Sequence, residues 1–187
     1  MFGRSQLGYA APVPTLRAHQ VRTLDDRIRV IKGLVWGNGP EGPIGSLRDP
    51  LMRQIGLAVT HRCPPRNDLC ELKAIFDFIV MNVRYTGDIA GKDTFQKALR
   101  TLQYGGGDCD DHFIVGSVLA AENGFYSKAR ITSNTGATWD HIYLMVGVPK
   151  HQPRRWVALD TTLGQYKFGV EPPRAKYRDF TIVGMED

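Results

Sequence analysis

The chain has 187 residues, 42% hydrophobic and 23% charged, with a formal net charge of +5, the balance of a single globular domain able to bury a sizeable core. No apolar run approaches the roughly 20 residues of a membrane span, and the start, Met1-Phe2-Gly3-Arg4-Ser5-Gln6, lacks the apolar stretch of a signal peptide. Basic residues are scattered, the one adjacent pair being Arg154-Arg155 between Pro153 and Trp156, so nucleic acid is not an expected partner.

In chain order, residues 1–20, with Pro12 and Pro14 among small polar neighbours, read as a flexible arm, and residues 21–187 as the domain. Leu24–Val35 carries Ile28, Val30, Ile31 and Leu34 at helical spacing and gives way to the loop Gly37-Asn38-Gly39-Pro40-Glu41-Gly42-Pro43. A second helix is predicted over Asp49–Thr60, with Leu51, Ile55, Leu57 and Val59 on or near one face. The strongest helix begins at Asp68, with Glu71 three residues on as a capping box. Its apolar stripe is Leu69, Leu72, Ile75, Phe76, Ile79, Val80 and Val83, and Tyr85-Thr86-Gly87-Asp88 ends it. Three cysteines make no disulfide framework. Cys63 and Cys70 read as buried structural thiols beside that helix, with a loop-closing disulfide as the alternative. His61, Cys63 and Cys70 lack the fourth donor and the repeated spacing of a metal site.

The most telling stretch is Gly105-Gly106-Gly107-Asp108-Cys109-Asp110-Asp111-His112. Ile114, Val115, Val118 and Leu119 follow at helical spacing, and Gly124 is a stop. Asp108 is placed to cap this helix, with Asp111 completing a capping-box-like start. Cys109 then lies in the first turn, where unpaired N–H groups favour a thiolate. The dipole's contribution of about 0.3–1 kcal/mol is less than one pKa unit, and three aspartates oppose it. A reactive Cys109 therefore needs a histidine. Trp139–Val146 alternates as a strand with His141 at its start, and Arg155–Asp160 is a second strand after the turn-rich Gly147–Pro153. If the two are antiparallel neighbours, Asp160 approaches His141. Nucleophile, base and orienting carboxylate then follow as Cys109, His141 and Asp160. His112, a turn beyond Cys109, is a rival base. Tyr126–Thr132 adds a strand, and Phe180–Val183 is a further edge strand or wraps the core. The fold class expected is α+β, with a helical N-terminal half packed on an antiparallel sheet.

These residues also carry a resemblance. GGGDCDD, then WDH and WVALDTT, resembles the transglutaminase-like superfamily, whose core is similar to that of papain-type peptidases. Leu72–Tyr85 and Phe95–Arg100 resemble the family's helix before the nucleophile and the lead-in to its glycine turn. The likeness spans about residues 68–165. Arg62-Cys63-Pro64-Pro65 with Asp68-Leu69-Cys70-Glu71 resembles, less specifically, transglutaminase-like proteins of tailed phages and prophages.

The resemblance implies Cys109 as nucleophile, His141 as base and Asp160 as orienting acid. Acyl transfer at an amide or peptide bond would pass through a thioester, with hydrolysis favoured over transamidation. The Cys109 N–H is one oxyanion donor, Tyr85 a candidate second, and Trp139 a candidate wall of the substrate groove; packing is the plainer role for both aromatics. No cofactor or metal is required. Expected partners are a peptide or protein substrate, cell-wall peptide included, or virion components if the fold serves as a non-catalytic assembly protein. The expected location is cytoplasmic or virion-associated.

Overall fold

The computed structural model describes residue 21 and residues 23–37, 46–87, 94–162 and 167–184. The arm expected over residues 1–20 and most of the loop after Gly37 lie outside the described residues. Helix α1 (Leu24–Trp36) starts with a full capping box, Thr23 and Asp26 each accepting the other's backbone N–H. Helix α2 (Pro50–Thr60) has Asp49 as its cap, accepting the Leu51 N–H at 2.9 Å, and Pro50 in its first turn, where the missing proline N–H costs nothing. Its buried stripe is Met52, Gly56 and Thr60, with Ile55 and Val59 packed beside it. Leu51 and Leu57, expected on the inner face, are exposed, because residues one position from a buried stripe rotate away by 100°.

Helix α3 (Asp68–Asn82) buries Leu72, Ile75, Phe76 and Ile79 as its stripe predicts, and leaves Leu69 and Val80 exposed. The capping box expected from Asp68 and Glu71 does not form. Asn67 caps instead, accepting the Cys70 N–H at 3.1 Å. Asp68 and Glu71 are spent on a distant partner: the Lys150 N–H donates to Asp68 at 3.0 Å, and the Lys150 ammonium pairs with Glu71. Cys63 and Cys70 form a disulfide across seven positions, so the alternative reading of that pair is the correct one. Helix α3 ends at Asn82, ahead of the expected stop at Tyr85-Thr86-Gly87-Asp88 (Asp88 lies outside the described residues), and a short strand, β1 (Arg84–Tyr85), follows, pairing in parallel with β2 (Gly106–Gly107) beyond helix α4 (Ala98–Tyr104).

Helix α5 (Cys109–Glu122) is the centre of the molecule. Every residue from Asp110 to Ala120 is buried, which marks a helix enclosed on all sides. Helices α1 to α4 surround it on one side and the sheet closes the other. That sheet contains β3 (Ser127–Ser133), β4 (His141–Val148), β5 (Arg155–Leu159) and β6 (Lys176–Val183), antiparallel in the order β5-β4-β3-β6. Alternation divides it into two faces. Ala129, Ile131, Ile142, Leu144, Val146 and Ile182 join the helical core, while Tyr143, Met145 and Ala158 form a second cluster with Trp156 on the outer face. The α+β expectation holds, including the adjacency of β4 and β5 and a strand over Phe180–Val183. No helix among the described residues is long and apolar enough to cross a membrane.

The C-terminus of α5 is locked to α2 by Asn123. Its amide donates to the carbonyls of Gly56 at 3.0 Å and Leu119 at 2.9 Å, and its oxygen accepts from Thr60 at 2.7 Å. Asn123→Ala strands three partners at a part-buried junction and is expected to cost about 1–3 kcal/mol in urea unfolding. Lys73→Ala, which removes an exposed one-turn ion pair with Asp77, should change stability by no more than about 0.5 kcal/mol in the same assay.

Candidate active site

Cys109 is the first residue of α5, held there by constraints on both sides. Upstream, the short β1–β2 ladder fixes the approach: Arg84 and Thr86 donate N–H bonds to Gly105 and Gly107 at 3.0 and 2.9 Å. Downstream, the Asp108 carboxylate caps the helix, accepting from the N–H groups of Asp110 and Asp111 at 3.1 and 3.2 Å. The Cys109 N–H belongs to the first turn, beyond reach of any helical carbonyl. Asp111 does not complete the expected box. It turns to Gln96, taking the backbone N–H at 2.7 Å and the side-chain amide at 2.8 Å, which clamps the segment before α4 onto α5. A Cβ at position 107 would lie 2.5 Å from Asp111 Cβ, so glycine is required there for the two to pass.

The packing of α5 on β4 brings the Cys109 thiol to the Ile142 backbone, one residue after His141. His141 opens β4, and its Nε2 lies 2.7 Å from Asp160 Oδ2. Asp160 sits just past β5, next to the β4 strand it pairs with, as the hairpin expectation requires. Its other oxygen accepts from the Thr162 hydroxyl at 2.7 Å and N–H at 3.1 Å. Burial opposes the charged form of Asp160, but the bonds from His141 and Thr162 outweigh it and hold the carboxyl below its ordinary range. An ionised Asp160 accepts from Nε2–H, leaving Nδ1 as the basic nitrogen of the ring.

The thiol's environment differs from that of a ready-made thiolate. Burial pushes the Cys109 pKa up, Asp110 and Asp108 push it further, and the opposing pulls of the Ile142 backbone and Arg27 are weaker. Cys109 therefore rests as a thiol at neutral pH. Arg27, which reaches Asp110 at 3.6 Å, comes from α1, and no local motif marked it.

Behind the His–Asp pair lies His112, 3% exposed. Its Nδ1 is 2.9 Å from the Thr161 hydroxyl, and its Nε2 makes no hydrogen bond among the described residues. Burial depresses its pKa to about 4 against the opposing pull of Asp160 and the Arg84 backbone. Tied to Thr161, it props the turn that carries Asp160. Tyr85, the candidate oxyanion donor, is half-exposed with its ring 6.2 Å from that of His112. Trp139, two residues before His141, is partly exposed, and Lys176 sits 4.7 Å over its ring.

A further support had no sequence signal. The Tyr143 ring lies 5.8 Å from that of His141, and its hydroxyl donates to Glu171 at 2.9 Å. Arg130 and Arg174 each reach Glu171 at 2.7 Å, and Arg130 also bonds Asp179. As for a metal, Asp108, Cys109 and Asp110 offer ligand atoms within 4.8 Å of one another. However, Asp108 is engaged as the helix cap and Asp110 faces Arg27.

The chain belongs to the transglutaminase-like superfamily, whose model matches residues 56–161. Among solved structures it is similar to EGTA-treated LapG of Legionella pneumophila, at 16% identity and a TM-score of 0.51 over 81% of this chain and 78% of that one. It is also similar to a candidate protease of Parabacteroides distasonis, at 11% identity and a TM-score of 0.51 over 72% of this chain and 29% of that one. A candidate cysteine protease of Cytophaga hutchinsonii matches at 17% identity and a TM-score of 0.46 over 60% of this chain and 37% of that one. The chain thus spans well under half the length of the latter two. At these identities the likeness to the LapG and Parabacteroides structures is one of fold. No curated protein matches the chain.

Two measurements follow from these environments. Iodoacetamide labelling of Cys109 at pH 7.5 should be slower than that of an exposed thiol of pKa about 8.5. Asp110→Asn should accelerate it several-fold, because it removes a negative charge that raises the thiol. His112 carries a linkage signature. Its folded pKa of about 4 lies below the ordinary 6.5, so the unfolded chain binds more protons between these values. The associated stability is complete above pH 6.5 and declines toward pH 4. At about 1.4 kcal/mol per pKa unit, urea unfolding at pH 4.5 should show a loss of about 2–3 kcal/mol relative to pH 7. His112→Asn should flatten that dependence.

Proposed function

We propose that the protein is a cysteine peptidase or amidase in which Cys109, His141 and Asp160 act as nucleophile, general base and orienting carboxylate. The observation that carries this reading is the 2.7 Å His141–Asp160 bond at the point where the strand meets the turn bearing Cys109. Family membership supports it. With Asp160 holding Nε2–H, Nδ1 of His141 takes the Cys109 proton as sulfur attacks an amide carbonyl. The S–C bond forms, and the carbonyl π electrons move to oxygen. The Cys109 N–H donates to that oxyanion, and Tyr85 is the candidate for the second donor. The C–N bond then breaks, the leaving amine takes the proton from His141, and a thioester remains. Water, deprotonated by His141, attacks the thioester and regenerates the thiol.

Attack starts from a protonated thiol, so the proton moves to His141 only as the S–C bond begins to form. Trp139 is proposed to flank the substrate groove. Hydrolysis is preferred to transamidation, and peptides or proteins, cell-wall peptides among them, are the substrate class. A protonated, buried thiol fits a non-catalytic member of the superfamily equally well, and the second reading is therefore an assembly protein of phage type.

The test is turnover of a peptide-amide library, read by mass spectrometry with an added primary amine as competitor. Cys109→Ala should abolish cleavage. His141→Ala and Asp160→Asn should lower kcat/KM by about 10²–10⁴-fold while the variants stay folded. Products carrying the competing amine would move the assignment to transamidation. Intact assembly of Cys109→Ala particles, with no turnover by the parent protein, would establish the second reading.

A further inference from the structure

His141 is bonded at one ring atom, Nε2, which lies 2.7 Å from Asp160 Oδ2. A bond at one nitrogen fixes a point and leaves the plane of the ring to turn about it. The side-chain torsion gives little help, because χ2 of histidine is broad. Proton transfer needs the second nitrogen aimed in one direction, so a neighbour has to set the plane.

Tyr143 is such a neighbour. It follows His141 by two residues on the same face of β4. Its ring centroid is 5.8 Å from that of the imidazole, with 31° between the planes. Packing against Met145, Ala158 and Trp156 would be met by a phenylalanine, but the tyrosine is tied at its far end. The hydroxyl donates to Glu171 Oε2 at 2.9 Å, the same oxygen that Arg130 and Arg174 each reach at 2.7 Å. Arg130 is itself held by Asp179, donating from Nε to Oδ1 at 2.7 Å and from Nη2 to Oδ2 at 2.6 Å, and it lies 4.2 Å over the Tyr177 ring. A forked pair of this kind fixes the guanidinium in one orientation. Burial and the Glu171 carboxylate keep the phenol protonated. Burial opposes a charged Glu171, but the bonds from Arg130 and Tyr143 outweigh it. The tyrosine–glutamate bond thus keeps both its proton and its charged acceptor.

We propose that Tyr143 and Glu171 are positioning residues for His141: Glu171 anchors the Tyr143 hydroxyl, and the anchored ring sets the imidazole plane in which Nδ1 meets the Cys109 thiol. The inference rests on the proposed pairing of Cys109 with His141 and adds two side chains that act only through the imidazole.

The experiment uses the intact protein and Tyr143→Phe, which removes the hydroxyl and keeps the ring. Alkylation of Cys109 by iodoacetamide requires His141 to take the thiol proton, so the variant should react about three- to tenfold more slowly than the parent, with an unchanged circular dichroism spectrum. In a His141→Ala background the same substitution should have no effect, since a residue acting through the imidazole then has nothing to act on. Glu171→Gln, which keeps the shape and discharges the anchor, should also slow the reaction. In NMR spectra of the histidine rings, the His141 signals, assigned by their loss in His141→Ala, should shift or broaden in Tyr143→Phe, while those of His151, beyond the far end of β4, stay in place. Equal slowing in both backgrounds makes the role structural and overturns the proposal, as do unmoved His141 signals. If His141→Ala by itself leaves alkylation unchanged, the Cys109–His141 pairing fails, and the ring signals alone decide whether Tyr143 positions the imidazole.

Discussion

The structure depends on the burial of α5 against β4. A helix enclosed on every side contributes hydrophobic free energy along its whole length, and its position is fixed by contacts that have nothing to do with chemistry. Ile114, Val115, Val118 and Leu119 are completely buried, as are Ile142 and Val146 opposite. Because the helix cannot slide, its first residue cannot move relative to the first residues of β4. Cys109 meets the strand beside His141 for the same reason that the core is dense. Placement of the thiol is thus a by-product of packing.

Such a site must also tolerate charge in a dry place. Asp108, Asp110, Asp111 and Asp160 are all buried, and each is engaged: in a helix cap, with Arg27, with Gln96, or with His141 and Thr162. Buried carboxylates are retained only when hydrogen-bonded or paired. The same electrostatics that stabilise these groups raise the thiol. The molecule combines an ionised Asp160, whose partners prevail over burial, with a neutral Cys109, whose partners do not. The surroundings thereby widen the gap that already separates a carboxyl from a thiol.

Much of this was legible in the sequence because the signals were local. The glycine run before Cys109, the strand alternation from His141 and the aspartate closing WVALD lie within short windows, and the connecting turn made β4 and β5 neighbours. The fold class followed from helical periodicity giving way to alternation. What stayed hidden depended on contacts across the chain. Asp68 and Glu71 had the spacing of a capping box, yet Lys150 draws them away and Asn67 takes the cap. Leu51 and Leu57 had the right hydrophobicity for the core, but Gly56 and Thr60 face it instead. Arg27 approaches the site from α1 and Glu171 from the segment before β6, separations at which no periodic pattern operates. The Cys63–Cys70 spacing allowed both thiols and a disulfide, and only the closeness of the two Cα atoms, 5.7 Å apart, distinguishes them.

The outer face of the sheet has a mechanical consequence. Glu171 precedes the edge strand β6, Asp179 lies within it, and both hold Arg130 on β3, while Glu171 also fixes the Tyr143 ring beneath His141. The edge strand is therefore a tension member for the imidazole. Peeling β6 outward would release Asp179 and slacken the Arg130–Glu171–Tyr143 chain, and it would also withdraw Ile182 and Val183 from the core that holds α5.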